Sequence, residues 1–259
     1  MRIKLDLNCD VGEAFGRWTL GDDALLMKHV SSVNIACGYH AGDPSIMRQT
    51  VNLALQENLA IGAHPGFPDL VGFGRRTMGL STQQVYDIVL YQIGALQAFV
   101  HAQGGALHHV KTHGALYNMA AYHIEYAQAI AQAVLDCNPQ LFLYALAGSD
   151  QVKVARHMGL SVCEEVFADR SYQDDGQLTP RNQPGAVITD VESAVKQVLS
   201  MVTQESVRSV NGNEVAIQAD TLCIHGDTPN AVAFADQIVQ ALEAEQVSIT
   251  APRLSELSF

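Results

Sequence analysis

Histidines, carboxylates and a lysine stand directly after short apolar runs at several places in this 259-residue chain. The first place is the segment 8–13 (NCDVGE), and later ones surround His40, His64 and the neighbours Lys111 and His113. Carboxylates and imidazoles exchange protons in catalysis, and a cation beside them stabilises a carboxylate, a phosphate or a developing oxyanion. The candidate catalytic residues are Asp10, Glu13, His40, His64, Lys111 and His113.

Two kinds of chemistry fit these residue types. Asp10, His40 and His64 are the ligand types of a divalent metal site that keeps open positions. They are scattered along the chain without a short-range spacing such as H-E-x-x-H, so a metal-free acid-base set also fits them, with a carboxylate fixing the tautomer of a histidine. The candidate substrate-binding residues are Asn8, Arg76, Glu165, Arg170, Arg181, His225 and Asp227.

Seven short apolar or β-rich runs precede or contain most of these residues. The runs are 3–8, 32–37, 60–63, 108–112, 141–147, 160–168 and 220–225. Helical patterns separate most of them, and this alternation is typical of a parallel sheet. In a parallel barrel the carboxyl ends of all strands share one face, so the polar residues that follow the runs would meet there. No composition shift or repeat marks a boundary, and we expect one domain over residues 1–259.

Start signals mark the helices, and two segments depart from the alternation. The helix starts are predicted at Asp43-Pro44, Ser81 with Gln84, Asp190 and Thr228-Pro229. The segment 207–217 carries Asn-Gly between alternating apolar residues, which predicts a β-hairpin. The segment 172–187 is rich in Gly, Pro, Asp and Gln without a period, which is typical of a lid or binding loop.

Composition limits the classes of partner. The chain has 15 basic and 27 acidic residues, a net charge of −12, which argues against nucleic-acid and anionic-membrane binding. No apolar run approaches the roughly 20 residues of a membrane span, and the N-terminal residues do not resemble a signal peptide. Five cysteines without a C-x-x-C pair argue against a disulfide framework. We therefore expect a cytoplasmic protein.

Common nucleotide and hydrolase motifs are missing from the sequence. It contains neither G-x-x-x-x-G-K-[ST] nor G-x-G-x-x-G, so no stereotyped nucleotide cradle is visible. It also lacks the G-x-S-x-G elbow, which weakens a serine-hydrolase interpretation. Any ATP would bind through a less stereotyped site or on another subunit.

Six segments together resemble a known family, and they keep its order along nearly the whole chain. They are DLNCDVGEAFG (6–16), NIACGYHAGDP (34–44), GAHPGFPDLVGFGRR (62–76), VKTHGALYN (110–118), EEVFADRSY (164–172) and LCIHGDTP (222–229). On these segments the chain resembles the LamB/YcsF family. The resemblance implies a (β/α) barrel with seven parallel strands, similar to the glycoside hydrolase/deacetylase group.

The resemblance also implies a reaction. It is the ATP-dependent opening of 5-oxo-L-proline (pyroglutamate) to L-glutamate, ADP and phosphate, with ATP as co-substrate and with 5-oxoprolinase subunits B and C as partners. The resemblance leaves two questions open, namely whether a divalent metal binds and whether the chain forms a homo-oligomer. Our hypothesis is that Asp10 and His64, with His40, position and deprotonate water, directly or through a metal.

The remaining roles are assigned by charge and by proton-transfer chemistry. Lys111 and one of Arg76, Arg170 or Arg181 would neutralise the substrate carboxylate or phosphate, and His113 or His225 would protonate the leaving nitrogen. Two other interpretations compete. One is a metal-dependent deacetylase or amidohydrolase that acts on a carbohydrate or small amide without ATP, and the other is a non-catalytic subunit that scaffolds a partner enzyme.

Overall fold

The computed structural model describes residues 3–224 and 231–254. Its strands, in chain order, are β1 (Lys4–Val11), β2 (Ser32–Ala36), β3 (Ala60–His64), β4 (Leu107–Lys111), β5 (Phe142–Leu146), β6 (Ser161–Phe167), β7 (Ser206–Arg208), β8 (Glu214–Ala216), β9 (Thr221–Cys223) and β10 (Ser248–Ile249). Its helices are α1 (Asp23–Leu26), α2 (Pro44–Gln56), α3 (Thr82–Ala102), α4 (Gly114–Ala120), α5 (Ile124–Cys137), α6 (Asp150–His157), α7 (Val191–Thr203) and α8 (Ala231–Ala244).

Seven of the strands close into a parallel barrel. The pairing runs from β1 through β2, β3, β4, β5 and β6 to β9, and β9 returns to β1. The short strand β10 adds to the first residues of β1, where Lys4 is opposite Ser248. Strands β7 and β8 form a separate antiparallel hairpin. The predicted barrel of seven parallel strands and the hairpin near 207–217 are both confirmed.

The predicted helix starts are confirmed where the chain is described. The Asp43 carboxylate accepts the backbone N–H groups of Ser45 and Ile46 at the start of α2. Ser81 and Gln84 form a reciprocal capping box at α3. Asp190 accepts the N–H of Ser193 at α7, and the predicted start at Thr228-Pro229 lies outside the described residues. Each cap satisfies backbone N–H groups in the first turn of its helix.

Strand β1 shows how the barrel is filled. Alternate side chains of a strand face opposite sides of the sheet. One set lies in the apolar core between strands and helices: Leu5, Leu7, Cys9 and Val11. The other set, Asp6, Asn8 and Asp10, points into the barrel, where its members hydrogen-bond to residues of other strands. The largest apolar core therefore lies outside the barrel, and the side chains that β1 directs into the interior are polar.

The middle of the barrel is a buried hydrogen-bonded layer. Asn34 Nδ2 donates to Asn8 Oδ1 at 2.8 Å, and His109 Nε2 lies 2.8 Å from Asn34 Oδ1. A β-carbon at Gly62 would stand 2.1 Å from His109 Nε2, so only glycine leaves room for this imidazole. Barrels of this kind are usually filled by branched apolar side chains. The polar filling positions the residues at the carboxyl ends of the strands.

None of the helices in the described part of the chain combines the length and the apolar character that crossing a lipid bilayer requires. All five cysteines are free thiols, and Cys9, Cys37, Cys163 and Cys223 are buried. Burial raises the pKa of each of these four thiols, to about 12 for Cys37. They are therefore neutral and unreactive at neutral pH.

Candidate active site

The carboxyl ends of the barrel strands bring the predicted catalytic residues together. Asp10 lies near the end of β1, His64 ends β3 and Lys111 ends β4. Glu13 and His40 follow β1 and β2, and His113 immediately precedes α4. Contacts of 3.0–3.5 Å join all of these side chains into one group, and the pairs are His113–His64, Lys111–Asp10, His64–Asp10, His40–Glu13 and His113–Glu13.

Four of these side chains form a compact set of potential metal ligands. One ligand atom from each of Glu13, His40, His64 and His113 can be chosen so that all lie within 4.8 Å of one another. His113 Nδ1 is 3.0 Å from His64 Nε2 and 3.5 Å from Glu13 Oε1, and His40 Nε2 is 3.3 Å from the same oxygen. The rings of His40 and His113 stack at 3.7 Å. Nitrogen and oxygen donors at this spacing fit a divalent transition metal.

The tautomers of His64 and His113 place two nitrogen lone pairs against each other, and a bound cation would relieve that repulsion. His64 Nδ1 lies 2.7 Å from the carbonyl oxygen of Lys111, and His113 Nε2 lies 2.9 Å from that of Phe73. A carbonyl oxygen only accepts, so we assign the proton of each ring to these nitrogens. The lone pairs of His64 Nε2 and His113 Nδ1 then face each other at 3.0 Å.

A shared proton is disfavoured at this position. Burial and the nearby His64 lower the pKa of His113 to about 3, and burial followed by the neighbouring His113 and His64 lowers the pKa of His40 well below its usual value. Neutral imidazoles whose second nitrogen donates to a carbonyl are the form that binds metals. The donor set therefore fits a divalent metal better than it fits a proton.

Glycines in the loop after β3 allow this close packing. A β-carbon at Gly74, where φ is +61°, would stand 2.7 Å from His40 Cβ and 2.9 Å from His113 Cδ2. At Gly66 it would stand 2.7 Å from His40 Nδ1. The glycine-rich segment 61–76 thus places backbone where any side chain would displace the two stacked histidines.

Lys111 is a fixed cation in the floor of the site. Its Nζ lies 2.7 Å from Glu165 Oε1, 3.1 Å from both Asp10 Oδ1 and Asn8 Oδ1, and 3.2 Å from Cys223 Sγ. Burial opposes its charge, but the carboxylates of Asp10 and Glu165 outweigh that effect and hold the pKa of Lys111 well above its usual value. An ammonium held in this way does not suit Schiff-base chemistry.

Asp10 is oriented by two donors on one of its oxygens. Oδ1 accepts Lys111 Nζ at 3.1 Å and Asn34 Nδ2 at 2.9 Å, so Oδ2 is turned to His64 Nε2 at 3.3 Å. Sequence reasoning missed Asn34 because it lies inside β2 rather than after it. The one signal in the sequence was a polar residue in the middle of the apolar run SVNIAC.

A cavity of about 660 Å³ opens above these residues, a volume in the range of small-molecule sites. Five of the predicted catalytic residues line it: Asp10, Glu13, His64, Lys111 and His113. Residues 177–182 of the long loop, which include Arg181, also line it, as do Arg75 and Arg170. A larger, more open hollow of about 920 Å³ lies between α3 and α5, beside the Tyr86–Asp136 hydrogen bond, away from the histidines.

The model of the LamB/YcsF family matches residues 5–256. The chain belongs to the LamB/YcsF family. Among similar proteins, one of Geobacillus kaustophilus that is named as the A subunit of 5-oxoprolinase is 58% identical over 252 residues, which cover 97% of this chain and 98% of the relative. Another of that name, from Bordetella pertussis, is 56% identical over 251 residues, covering 97% and 100%.

A solved structure agrees with this family assignment. The crystal structure of the lactam utilization protein from Thermus thermophilus superposes on this chain with a TM-score of 0.92. It is 50% identical in sequence and covers 96% of this chain and 100% of its own. The two chains therefore share the barrel over nearly its whole length.

The predicted substrate-binding residues of this LamB/YcsF protein take different places. Arg170 and Arg181 line the cavity. Asn8 and Glu165 lie beneath its floor, fully buried and bonded to Lys111. His225 and Asp227 lie outside the described residues.

Arg76 does not line the cavity, whereas the neighbouring Arg75 does. The Arg76 guanidinium is two-thirds exposed and is paired with Asp69, whose carboxylate also accepts the N–H of Gly72. Arg75 instead lines the cavity. Two adjacent arginines look alike in sequence, and only the course of the loop decides which one faces the site.

The metal hypothesis named Asp10, His40 and His64. The compact donor set of this LamB/YcsF barrel contains His40 and His64 together with Glu13 and His113. Asp10 borders the same set through its contact with His64. Glu13 lies in a loop two residues beyond the end of β1, and its approach to His40 and His113 depends on the tertiary structure.

Proposed function

We propose that this chain is the A subunit of an ATP-dependent 5-oxoprolinase, which opens 5-oxo-L-proline to L-glutamate with ADP and phosphate. It would act with subunits B and C, and ATP would be the co-substrate of the assembled enzyme. The names of the relatives support the reaction, since two similar proteins are named as this 5-oxoprolinase component and a third is a lactam utilization protein. The observation that carries the proposal is a single cavity lined by carboxylates, histidines and arginines together.

The chemistry explains the need for ATP. Amide resonance stabilises the lactam, so its carbonyl carbon is a poor electrophile. Transfer of the γ-phosphoryl group to the lactam oxygen, with loss of the nitrogen proton, activates that carbon and releases ADP. Water then adds to the carbon, the C–N bond breaks as the nitrogen takes up protons, and an acyl phosphate remains. A second water attacks the acyl carbon and releases phosphate and L-glutamate.

Asp10 is the proposed base for the attacking water. Its Oδ1 is held by Lys111 and Asn34, and its Oδ2 is directed toward His64 at the cavity. The carboxylate takes a proton from the water and returns it to the leaving nitrogen, a base-then-acid sequence that one well-placed group can perform. The ammonium of Lys111, 3.1 Å from Asp10 Oδ1, balances the charge of this carboxylate.

A divalent metal fits the same site. Glu13, His40, His64 and His113 would hold it, and when bound it would supply a Lewis acid for water activation at neutral pH. The sequence-based assignment of His113 as the acid for the leaving nitrogen then applies to the metal-free site alone. In a loaded site the Nδ1 lone pair of His113 would be used for coordination.

The test is a glutamate-release assay with 5-oxoproline and ATP, with and without the partner subunits. We expect glutamate and ADP in equal amounts from the complete mixture, and loss of both products when this chain is omitted. Chelation followed by activity and metal-content measurements tests the metal. Hydrolysis of acetylated sugars or small amides without ATP, together with no glutamate from folded protein in the complete mixture, would contradict the proposal and favour the deacetylase interpretation.

A further inference from the structure

A hydrogen-bonded chain runs from the middle of the barrel to Asp10. Asn34 Nδ2 donates to Asp10 Oδ1 at 2.9 Å and to Asn8 Oδ1 at 2.8 Å. At the other end of the same amide, Asn34 Oδ1 lies 2.8 Å from His109 Nε2. Asn34 and His109 are fully buried, and neither of them lines the cavity. Two residues that lie outside the cavity are therefore linked to the proposed base.

The groups around Asn34 fix which way its amide faces. Its Nδ2 lies 2.9 Å from the Asp10 carboxylate and 3.3 Å from the carbonyl oxygen of Cys9, and carboxylate and carbonyl oxygens accept hydrogen bonds. The amide oxygen then faces His109, so we assign the ring proton of His109 to Nε2, which donates to Asn34 Oδ1. A flipped amide would bring two donors together at 2.8 Å.

The surroundings of His109 hold its ring in one place. The ring stacks on that of Tyr144 with the centroids 4.0 Å apart. Its Nε2 edge lies against Gly62, where a β-carbon would stand 2.1 Å from that nitrogen. Burial lowers the pKa of His109 well below its usual value, so the ring is neutral at neutral pH. His109 is therefore a fixed, neutral donor directed at Asn34.

The grip of Asn34 on Asp10 depends on this donor. Hydrogen bonds in series polarise one another, so the bond that Asn34 Oδ1 accepts strengthens the bond that its Nδ2 donates. A buried amide oxygen without a donor is unfavourable, and Asn34 would turn to regain one. Asp10 would then lose the firm amide contact on Oδ1 that turns Oδ2 to His64 Nε2 at 3.3 Å.

We propose that His109 is a positioning residue for the reaction, which acts through Asn34 to keep Asp10 Oδ2 directed at His64 and the cavity. This inference rests on the proposed function, in which Asp10 takes a proton from the attacking water. Proton transfer requires the base to lie within hydrogen-bond reach of that water. A displaced carboxylate would slow the chemical step, while the residues that line the cavity would still bind the substrate.

The first experiment measures kcat and KM for glutamate release by the complete enzyme, normalised to folded protein. His109→Leu keeps a side chain of similar size but removes the donor. We expect its kcat to fall about tenfold to 10²-fold with the KM for 5-oxoproline near wild type, because a misplaced base slows chemistry without changing the cavity lining. His109→Gln, whose amide can donate to Asn34 Oδ1, should recover most of the loss.

Asp6→Asn is the matched control for a disturbed hydrogen bond in the same barrel. Asp6 is buried and bonded to hydroxyl groups, so this variant should keep the kcat of wild type. An unchanged kcat in His109→Leu, or equal losses in His109→Leu and His109→Gln, would overturn the inference. A loss that appears in KM alone would also overturn it, because it would place His109 in substrate binding.

The second experiment needs no turnover. Nitrogen-15 NMR of the wild-type chain, with the His109 signals assigned by their absence in His109→Gln, should show the proton on Nε2, and a proton on Nδ1 would overturn the inference. Crystal structures should show the distance from Asp10 Oδ2 to His64 Nε2 lengthened in His109→Leu and restored in His109→Gln. An Asp10 that keeps its place in His109→Leu would overturn the inference as well.

The two experiments separate this inference from the proposed function. A wild-type complete enzyme that releases no glutamate would contradict the proposed function. The NMR and crystal structures would in that case still decide whether His109 positions Asp10. Full activity of the wild type together with an unmoved Asp10 in His109→Leu would instead contradict the inference and leave the proposed function in place.

Discussion

Asp6 and Asp10 lie four residues apart on β1, and both point into the barrel, yet their surroundings differ. Asp6 is 1% exposed and accepts hydrogen bonds from the hydroxyl groups of Ser31, Ser32 and Thr221 at 2.6–3.0 Å. The Asp10 side chain is 14% exposed, is held by Lys111 and Asn34, and faces both His64 and the cavity.

A buried carboxylate becomes a candidate for catalysis when it has a charged neighbour and access to a cavity. Hydroxyl donors satisfy Asp6 with neutral groups in a closed space, which stabilises the barrel without offering a route for protons. Asp10 has one oxygen fixed by a cation and an amide and the other presented to a histidine and an open volume. Residue type and strand are the same, so the neighbours and the access to the cavity decide the role.

Asp10→Asn should have the largest effect on turnover. Removing the proposed base should lower glutamate release by the complete enzyme about 10²–10⁴-fold, the usual contribution of general acid-base catalysis. Circular dichroism verifies that the variant is folded, and Asp6→Asn is the matched control, with near-wild-type turnover per folded molecule. Full turnover in Asp10→Asn would remove Asp10 from the mechanism.

Lys111→Met should have the largest effect on stability. It would leave the carboxylates of Asp10 and Glu165 buried without their cation, and breaking a buried pair from one side typically costs about 3–5 kcal/mol. Urea unfolding measures the loss. Adding Glu165→Gln should recover part of it by removing one stranded charge, and a double variant no more stable than Lys111→Met would contradict this charge balance.

Asp6→Asn should lower stability more than activity. The substitution disturbs a carboxylate that accepts three buried hydroxyl groups, and mismatched buried hydrogen bonds cost about 1–3 kcal/mol. The measurement pairs urea unfolding with glutamate release normalised to folded protein. A large loss of turnover at unchanged stability would show that Asp6 takes part in catalysis.

The pH dependence of stability tests the buried hydrogen-bonded layer that contains His109. Burial, followed by the charges of His108 and Lys111, lowers the pKa of His109 well below its usual value. The unfolded chain therefore binds a proton below about pH 6.5 that the folded chain does not bind, so stability is full above that pH and falls as pH decreases. Between pH 7 and pH 5, His109→Gln should lose about 2 kcal/mol less than wild type in urea unfolding. Equal losses would show that His109 does not remain neutral in the fold.

Arg76→Gln should have the smallest effect on the reaction. Arg76 is exposed and paired with Asp69, whereas Arg75 lines the cavity. The KM and turnover of the complete enzyme should stay near wild type in Arg76→Gln and should worsen in Arg75→Gln. The reverse pattern would restore the sequence-based prediction for Arg76.

Sequence periodicity and turn chemistry were enough to predict most of the fold. The seven apolar runs correspond to the seven barrel strands, and the caps at Asp43, Ser81 and Asp190 open helices as predicted. The Asn-Gly pair predicted the hairpin of β7 and β8. These features depend on neighbours along the chain, which the sequence displays directly.

The interior of the barrel was harder to predict. Asn34 and His109 lie in apolar-looking runs, and their bond to each other joins strands that are 75 residues apart in sequence. Gly62 gives no chemical signal of its own, although the position of His109 requires it. Such roles arise where side chains of non-neighbouring strands meet, and no spacing along one strand reveals them.

The strands, the helix starts and the ionisable residues that follow the strands depend on local order along the chain, and the amino-acid sequence was enough to predict them. The folded barrel was needed to show that Glu13 and His113 join His40 and His64. It was also needed to show that Arg75 rather than Arg76 faces the cavity and that Asp10 rather than Asp6 is open to it. Barrel closure and the stagger of the strands set which side chains meet, and both depend on the pairing of all seven strands together.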